Sequence, residues 1–141
     1  MMWLSAICAT LACTQPVTAG EVSRVEVRNN DIVLHFNDAI DSASSFVLSG
    51  PDRIAIDVKG ATIGPQSQPH SGMVRSVRMA QFDTQTARVV LDLDRPAKVA
   101  GGRFSDDGRT LTLSVSEIGS GALQAVLAQD RQSFVPPAAF R

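Results

Sequence analysis

From Thr86 to Leu93 the chain alternates strictly. Thr86, Arg88, Val90 and Asp92 fall on one side, and Ala87, Val89, Leu91 and Leu93 fall on the other. A period of two marks a strand with one face in a core and the other largely in water. The outward side carries Arg88 and Asp92, roughly 13 Å apart at the usual strand rise. Asp94, Arg95 and Pro96 end the run, since proline has no N–H to give a ladder. A second stretch has the same design. Gly50-Pro51-Asp52 makes a turn, after which Ile54, Ile56 and Val58 point one way and Arg53, Ala55 and Asp57 the other. The Arg53–Asp57 spacing repeats that of Arg88–Asp92, which indicates an internal repeat.

Other segments share this period. Val22 to Arg28 alternates, with Val22, Val25 and Val27 imperfectly in phase, and Asn29-Asn30-Asp31 makes a hairpin turn into Ile32–Phe36. Asn37 to Ser45 is polar and reads as a loop before a short strand Phe46–Leu48. Gly60 to Gly72 reads as a linker. Beyond it, Val74–Phe82 pairs with the Thr86–Asp94 strand, and Ala97–Phe104 is interrupted by Gly101-Gly102. The turn Ser105–Gly108 leads into Arg109–Val115. Roughly eight strands with no long helix predict an all-β fold, a sandwich of two similar, roughly four-stranded sheets from an internal repeat. The predicted domain is 20–118. Residues 119–141 are expected to be a short helix, from the spacing of Leu123, Val126 and Leu127, and a linker or tail.

Met1–Ala19 reads as a secretory signal. Trp3–Cys13 is uncharged and mostly apolar but falls short of the about 20 residues that span a bilayer, and Val17 and Ala19 give the small-residue spacing of a cleavage site. Gly20 is then the mature start. A lipid anchor through Cys13 and a retained anchor are the alternatives. No Lys or Arg precedes the apolar run, which leaves the true start codon open. Removing this leader removes Cys8, Cys13 and Trp3, and with them any disulfide or thiolate metal site. The 13 basic and 14 acidic residues give a formal charge of −1. No basic stripe speaks for nucleic acid.

Catalytic motifs are missing from the sequence. His35 and His70 are the two histidines, and neither stands in a metal-binding spacing. There is no nucleophile elbow and no phosphate-cradling or dinucleotide glycine loop. Asp106-Asp107-Gly108 has part of a calcium loop but reads as a turn. Asp92 and Asp94 close a strand rather than flank a substrate. No enzyme activity, metal or cofactor is expected. Arg53, Asp57, Arg88 and Asp92 either solubilise outer sheet faces, for which exposed pairs give only about 0–1 kcal/mol, or read charged ligand groups, arginine gripping carboxylates bidentately.

The stretch Gln81-Phe82-Asp83-Thr84-Gln85-Thr86-Ala87-Arg88-Val89-Val90-Leu91-Asp92-Leu93 resembles the AMIN domain, as does Leu48-Ser-Gly-Pro-Asp-Arg-Ile-Ala-Ile-Asp-Val58. That module precedes the catalytic domain of periplasmic N-acetylmuramoyl-L-alanine amidases and occurs in type IV pilus secretins. The resemblance spans about Val22 to Glu117. It implies a sandwich of two symmetrical sheets, a periplasmic location, and peptidoglycan binding with targeting to the division site. The family's motif positions carried onto this sequence are Pro51, Arg53, Asp57, Gln81, Phe82, Asp83, Thr86, Arg88 and Asp92. The sequence stops near where a linker to an amidase domain would begin, so a stand-alone module and a fragment of a longer product are both expected forms. Two functions compete. One is a non-catalytic module of a cell-wall amidase system that binds peptidoglycan through stem-peptide carboxylates and amides. The other is a protein-interaction module docking on a pilus secretin or a division complex. No membrane insertion is expected after signal cleavage.

Overall fold

The computed structural model describes residues 20–128 and 131–137. The expected signal segment 1–19, with Cys8 and Cys13, lies outside the described residues. Eleven strands and one helix follow in order: β1 (Gly20–Arg28), β2 (Asp31–Phe36), β3 (Ser42–Leu48), β4 (Arg53–Lys59), β5 (Ala61–Thr62), β6 (Gln66–Pro69), β7 (Val74–Asp83), β8 (Thr86–Leu93), β9 (Ala97–Phe104), β10 (Thr110–Glu117), α1 (Ser120–Leu127) and β11 (Gln132–Phe134). They form a five-stranded sheet, β5-β1-β2-β10-β9, and a six-stranded sheet, β11-β3-β4-β8-β7-β6. The protein is the all-β sandwich that the alternation predicts. Each sheet has four long strands at its centre, with short strands added at the edges.

The two halves do not each form one sheet. The β1–β2 hairpin of the first half joins β9 and β10 of the second, and the β3–β4 hairpin joins β7 and β8. Each half therefore gives one hairpin to each sheet, and every junction between halves, β2 with β10 and β4 with β8, is antiparallel. Strand β4 thereby has a hydrogen-bonded neighbour on both sides, β3 and β8.

The core lies between the sheets. Ile54, Ile56 and Val58 from β4 and Ala87, Val89 and Leu91 from β8 meet Ile32, Leu34, Leu111 and Leu113 from the other sheet, all essentially inaccessible to water. Burying each of the larger side chains contributes roughly 1.5–3 kcal/mol. The imperfect phase of Val22, Val25 and Val27 has a local cause, a register shift between Val22 and Arg24 in the β1–β2 ladder. That extra residue returns Val22 and Val25 to the same buried face.

Three segments differ from the sequence expectation. Strand β3 begins at Ser42 inside the expected loop, because Ala43 and Ser45 are buried against the sandwich. The expected linker 60–72 contains two short edge strands, β5 and β6. Of the expected tail, Gln132–Phe134 form β11 on the edge of β3. Gly102 accounts for this last difference. A Cβ there would sit 2.5 Å from Leu113 Cδ2 and 2.8 Å from Phe134 Cε1, so the missing side chain is the space that Phe134 fills. The Gln132 amide donates to the Val99 carbonyl at 2.9 Å and ties β11 to β9 in the facing sheet.

Candidate functional site

The β4–β8 ladder sets Arg53 opposite Asp92, Ala55 opposite Val90 and Asp57 opposite Arg88. The two arginine-to-aspartate stretches seen in the sequence are thus antiparallel neighbours, related by a local two-fold about the Ala55–Val90 pair. Since the alternate residues of both strands enter the core, all four charged side chains rise from the outer face of the six-stranded sheet. At one end Arg88 grips Asp57 bidentately, Nε to Oδ1 at 2.6 Å and Nη2 to Oδ2 at 2.9 Å. Arg131, just before β11, adds a third bond from Nη1 to Asp57 Oδ2 at 2.7 Å. The Asp57 side chain is only 6% exposed. Burial alone pushes its carboxyl up, but the hydrogen bonds from Arg88 and Arg131 and their charges outweigh that and hold it below the usual carboxylate range.

The other end breaks the two-fold. Asp92 is gripped by Arg78 of β7, Nε to Oδ2 at 2.8 Å and Nη2 to Oδ1 at 2.9 Å, and accepts from Ser76 Oγ at 2.7 Å. These bonds hold the Asp92 carboxyl low, Arg78 first among them and against the opposing effect of burial. Among the described residues Arg53, the symmetric counterpart of Arg88, makes one long bond, Nε to the Pro51 carbonyl at 3.4 Å. Arg78 lies beside Val90, and the matching place beside Ala55 holds Phe46. One hairpin therefore carries a cation where the other carries an aromatic ring.

The aromatic rings lie against the guanidinium groups. The Arg88 guanidinium carbon sits 3.7 Å from the Phe82 ring centre and 5.5 Å from that of Phe46, and Arg131 sits 4.1 Å from Phe46. Phe82 is 58% exposed, against the tendency of a large apolar side chain to be buried. Arg78, Ala80 and Phe82 of β7, with Arg88 and Val90 of β8, wall a hollow of about 180 Å³. A second, more polar hollow of about 370 Å³ lies at the Asp92 end, lined by Pro51, Asp52, Arg75, Ser76 and Asp92.

The structure does not bring all nine expected residues to this face in one role. Gln81 is a latch. Its Oε1 accepts from the Ile63 N–H at 2.9 Å, and its Nε2 reaches the carbonyls of Ala61, Asp83 and Thr86 at 3.1, 2.8 and 3.0 Å. Its amide is thereby used on the backbone, fastening β5 to the β7–β8 hairpin. Asp83 holds the hairpin turn by accepting from the Gln85 N–H at 2.8 Å, a bond that lowers its pKa. Thr86, expected to face outward, is 7% exposed, at the hairpin end where the β7–β8 register is irregular between Gln81 and Asp83. Arg78, Arg131, Arg75, Phe46 and Ala80 were not picked out by sequence reasoning. Arg75 and Arg78 could have been found as charges flanking the β7 alternation, whereas Arg131 falls in what reads as a tail.

Among the described residues no group of three or more His, Cys, Asp or Glu could hold a metal ion, and no helix is long and apolar enough to cross a membrane. A search of curated proteins finds no match. Residues 16–115 match the AMIN domain, a non-catalytic, peptidoglycan-targeting module that occurs in periplasmic proteins. The match takes in β1 to β9, most of β10 and every one of the nine expected positions. It covers well over half of the sequence, and the chain belongs to the AMIN-domain family.

Proposed function

We propose that this chain is a non-catalytic, exported peptidoglycan-binding module of a cell-wall amidase system that acts at the division site in the periplasm, and that it binds through the outer face of the six-stranded sheet. The observation that supports this face is its concentration of cations in a chain of formal charge −1. Arg53, Lys59, Arg75, Arg78, Arg88 and Arg131 stand there or at its end, against Asp52, Asp57, Asp83 and Asp92. Peptidoglycan offers the complement, stem peptides rich in carboxylates and amides. Family membership supports the ligand class.

Co-sedimentation with isolated sacculi tests the reading. The wild-type protein pellets with sacculi, less in high salt, and the Arg88→Ala variant pellets less than wild type. Binding that persists undiminished both in high salt and in that variant rules the mechanism out.

A second reading is docking on an envelope protein, a pilus secretin or a division complex. It draws support from β6, a four-residue edge strand of the six-stranded sheet to which a partner strand could add. Failure of the folded protein to pellet with sacculi, together with capture of a defined envelope protein by the β6 edge, favours it.

A further inference from the structure

Resting on the peptidoglycan reading, we propose that the hollow above Ala80 is the recognition pocket, that it takes the free carboxylate of a single stem-peptide residue, and that it does not take glycan. Arg78 and Arg88 are among the residues that line it, and most of the lining is apolar. Arg78 uses Nε and Nη2 on Asp92, and Arg88 uses Nε and Nη2 on Asp57. Among the described residues the Nη1 of each makes no hydrogen bond. The aspartates thus fix both cations in position before any ligand arrives, which removes an ordering cost from binding. They also neutralise most of the charge, so the pocket suits a monoanion better than a phosphate dianion.

Size and floor support the same ligand. The hollow owes its existence to Ala80, a small residue between the longer Arg78 and Phe82 on the same face of β7. Val90 completes an apolar floor. At about 180 Å³ it is a small hollow that opens to solvent on its outer side. A sugar ring finds no aromatic floor here, since Ala80 and Val90 form it, and the one open stacking surface is the uncovered face of Phe82. One face of Phe82 is covered by Arg88 and one face of Phe46 by Arg131. The sequence has no tyrosine, and its single tryptophan is Trp3.

The test titrates the purified protein, followed by NMR at the Ala80 and Val90 amides and the Arg78 and Arg88 Nε–H groups. Three probes are used: an N-acetylated L-Ala-γ-D-Glu-L-Lys peptide with free carboxylates, the same peptide fully amidated, and chitotetraose, a glycan without carboxylates. The free-carboxylate peptide shifts these signals. Amidation weakens it by about tenfold or more, the scale of a lost charge-assisted contact, and chitotetraose moves none of them. Ala80 is exposed, so Ala80→Leu fills the hollow without disturbing the core, and this variant loses the peptide response. Equal binding of free and amidated peptides, or undiminished binding by Ala80→Leu, overturns the proposal. Sacculus pelleting run in parallel separates the two levels. Wild type that pellets but ignores the peptide keeps the wall-binding reading and overturns the pocket, whereas folded wild type that does not pellet overturns both.

Discussion

Arg88 and Asp57 lie 31 positions apart in sequence and directly opposite each other across the β4–β8 ladder, joined by two short hydrogen bonds. The pair ties the two halves of the chain together at the outer surface as the aliphatic residues do in the core. It also orients Arg88 beside Phe82. One relationship thus serves both the fold and the proposed binding face.

Asp57 is the carboxylate whose loss costs the most stability on this face. Asp57→Asn removes the charge from three hydrogen bonds to Arg88 and Arg131, and the expected cost is about 2–3 kcal/mol at neutral pH. Its folded pKa lies below the ordinary value of 3.8. The stabilisation is therefore complete above that unfolded value and lost as pH falls through the lower folded one. Urea denaturation at a series of pH values checks this. The gap between wild type and variant is constant from neutral pH down to about 5 and narrows below about 4.

Phe82→Ala separates binding from folding. The ring is largely exposed, so its removal changes stability by less than about 1 kcal/mol, including the lost contact with Arg88. The same change removes a wall of the hollow and lowers pelleting with sacculi. Thermal melts beside the binding assay check both halves of this expectation.

Gln81→Ala has the opposite profile. It removes an amide that satisfies the Ile63 N–H and three carbonyls. The expected cost is about 2–3 kcal/mol, since each bond contributes about 1 kcal/mol net and the backbone partners lose theirs. Hydrogen exchange at the Ile63 amide rises by more than the global loss of stability accounts for.

Gly102→Ala tests why β11 docks where it does. The new methyl group meets Leu113 and the Phe134 ring, and overpacking of this kind costs about 1–3 kcal/mol. Amide exchange at Gln132 and Phe134 accelerates as β11 leaves the β3 edge. The double variant with Phe134→Ala is less destabilised than the sum of the singles, because the clash with the Phe134 ring is gone and only that with Leu113 remains.

The sequence made the strands legible because their signal is local. Ala87, Val89, Leu91 and Leu93 alternate within eight residues, and all four are buried. The repeat of Arg53–Asp57 in Arg88–Asp92 was equally visible. What it meant was not, since pairing Asp57 with Arg88 depends on an antiparallel register between strands from different halves. The repeat suggested four independent ligand contacts, and the register made two of them each other's partners. Arg78 was hidden for a related reason. It reaches Asp92 across strands, in the place that symmetry assigns to Arg53. Beyond Glu117 the local signal fades, and β11 is held by a space left at Gly102 that composition cannot reveal. Gln81 shows the limit in reverse. A polar residue in a motif reads as a ligand contact until its amide is found on four backbone groups.

The outer face of the six-stranded sheet, and not that of the five-stranded sheet, is the one proposed to meet the wall. The most direct measurement compares sacculus pelleting by two double variants whose fold is verified by circular dichroism. Arg53→Ala with Arg78→Ala strips cations from the outer face of the six-stranded sheet, and Arg24→Ala with Arg103→Ala strips them from that of the five-stranded sheet. The first is expected to lose about tenfold or more in affinity and the second to pellet like wild type. Equal losses in both, or a loss confined to the second, would contradict that proposal.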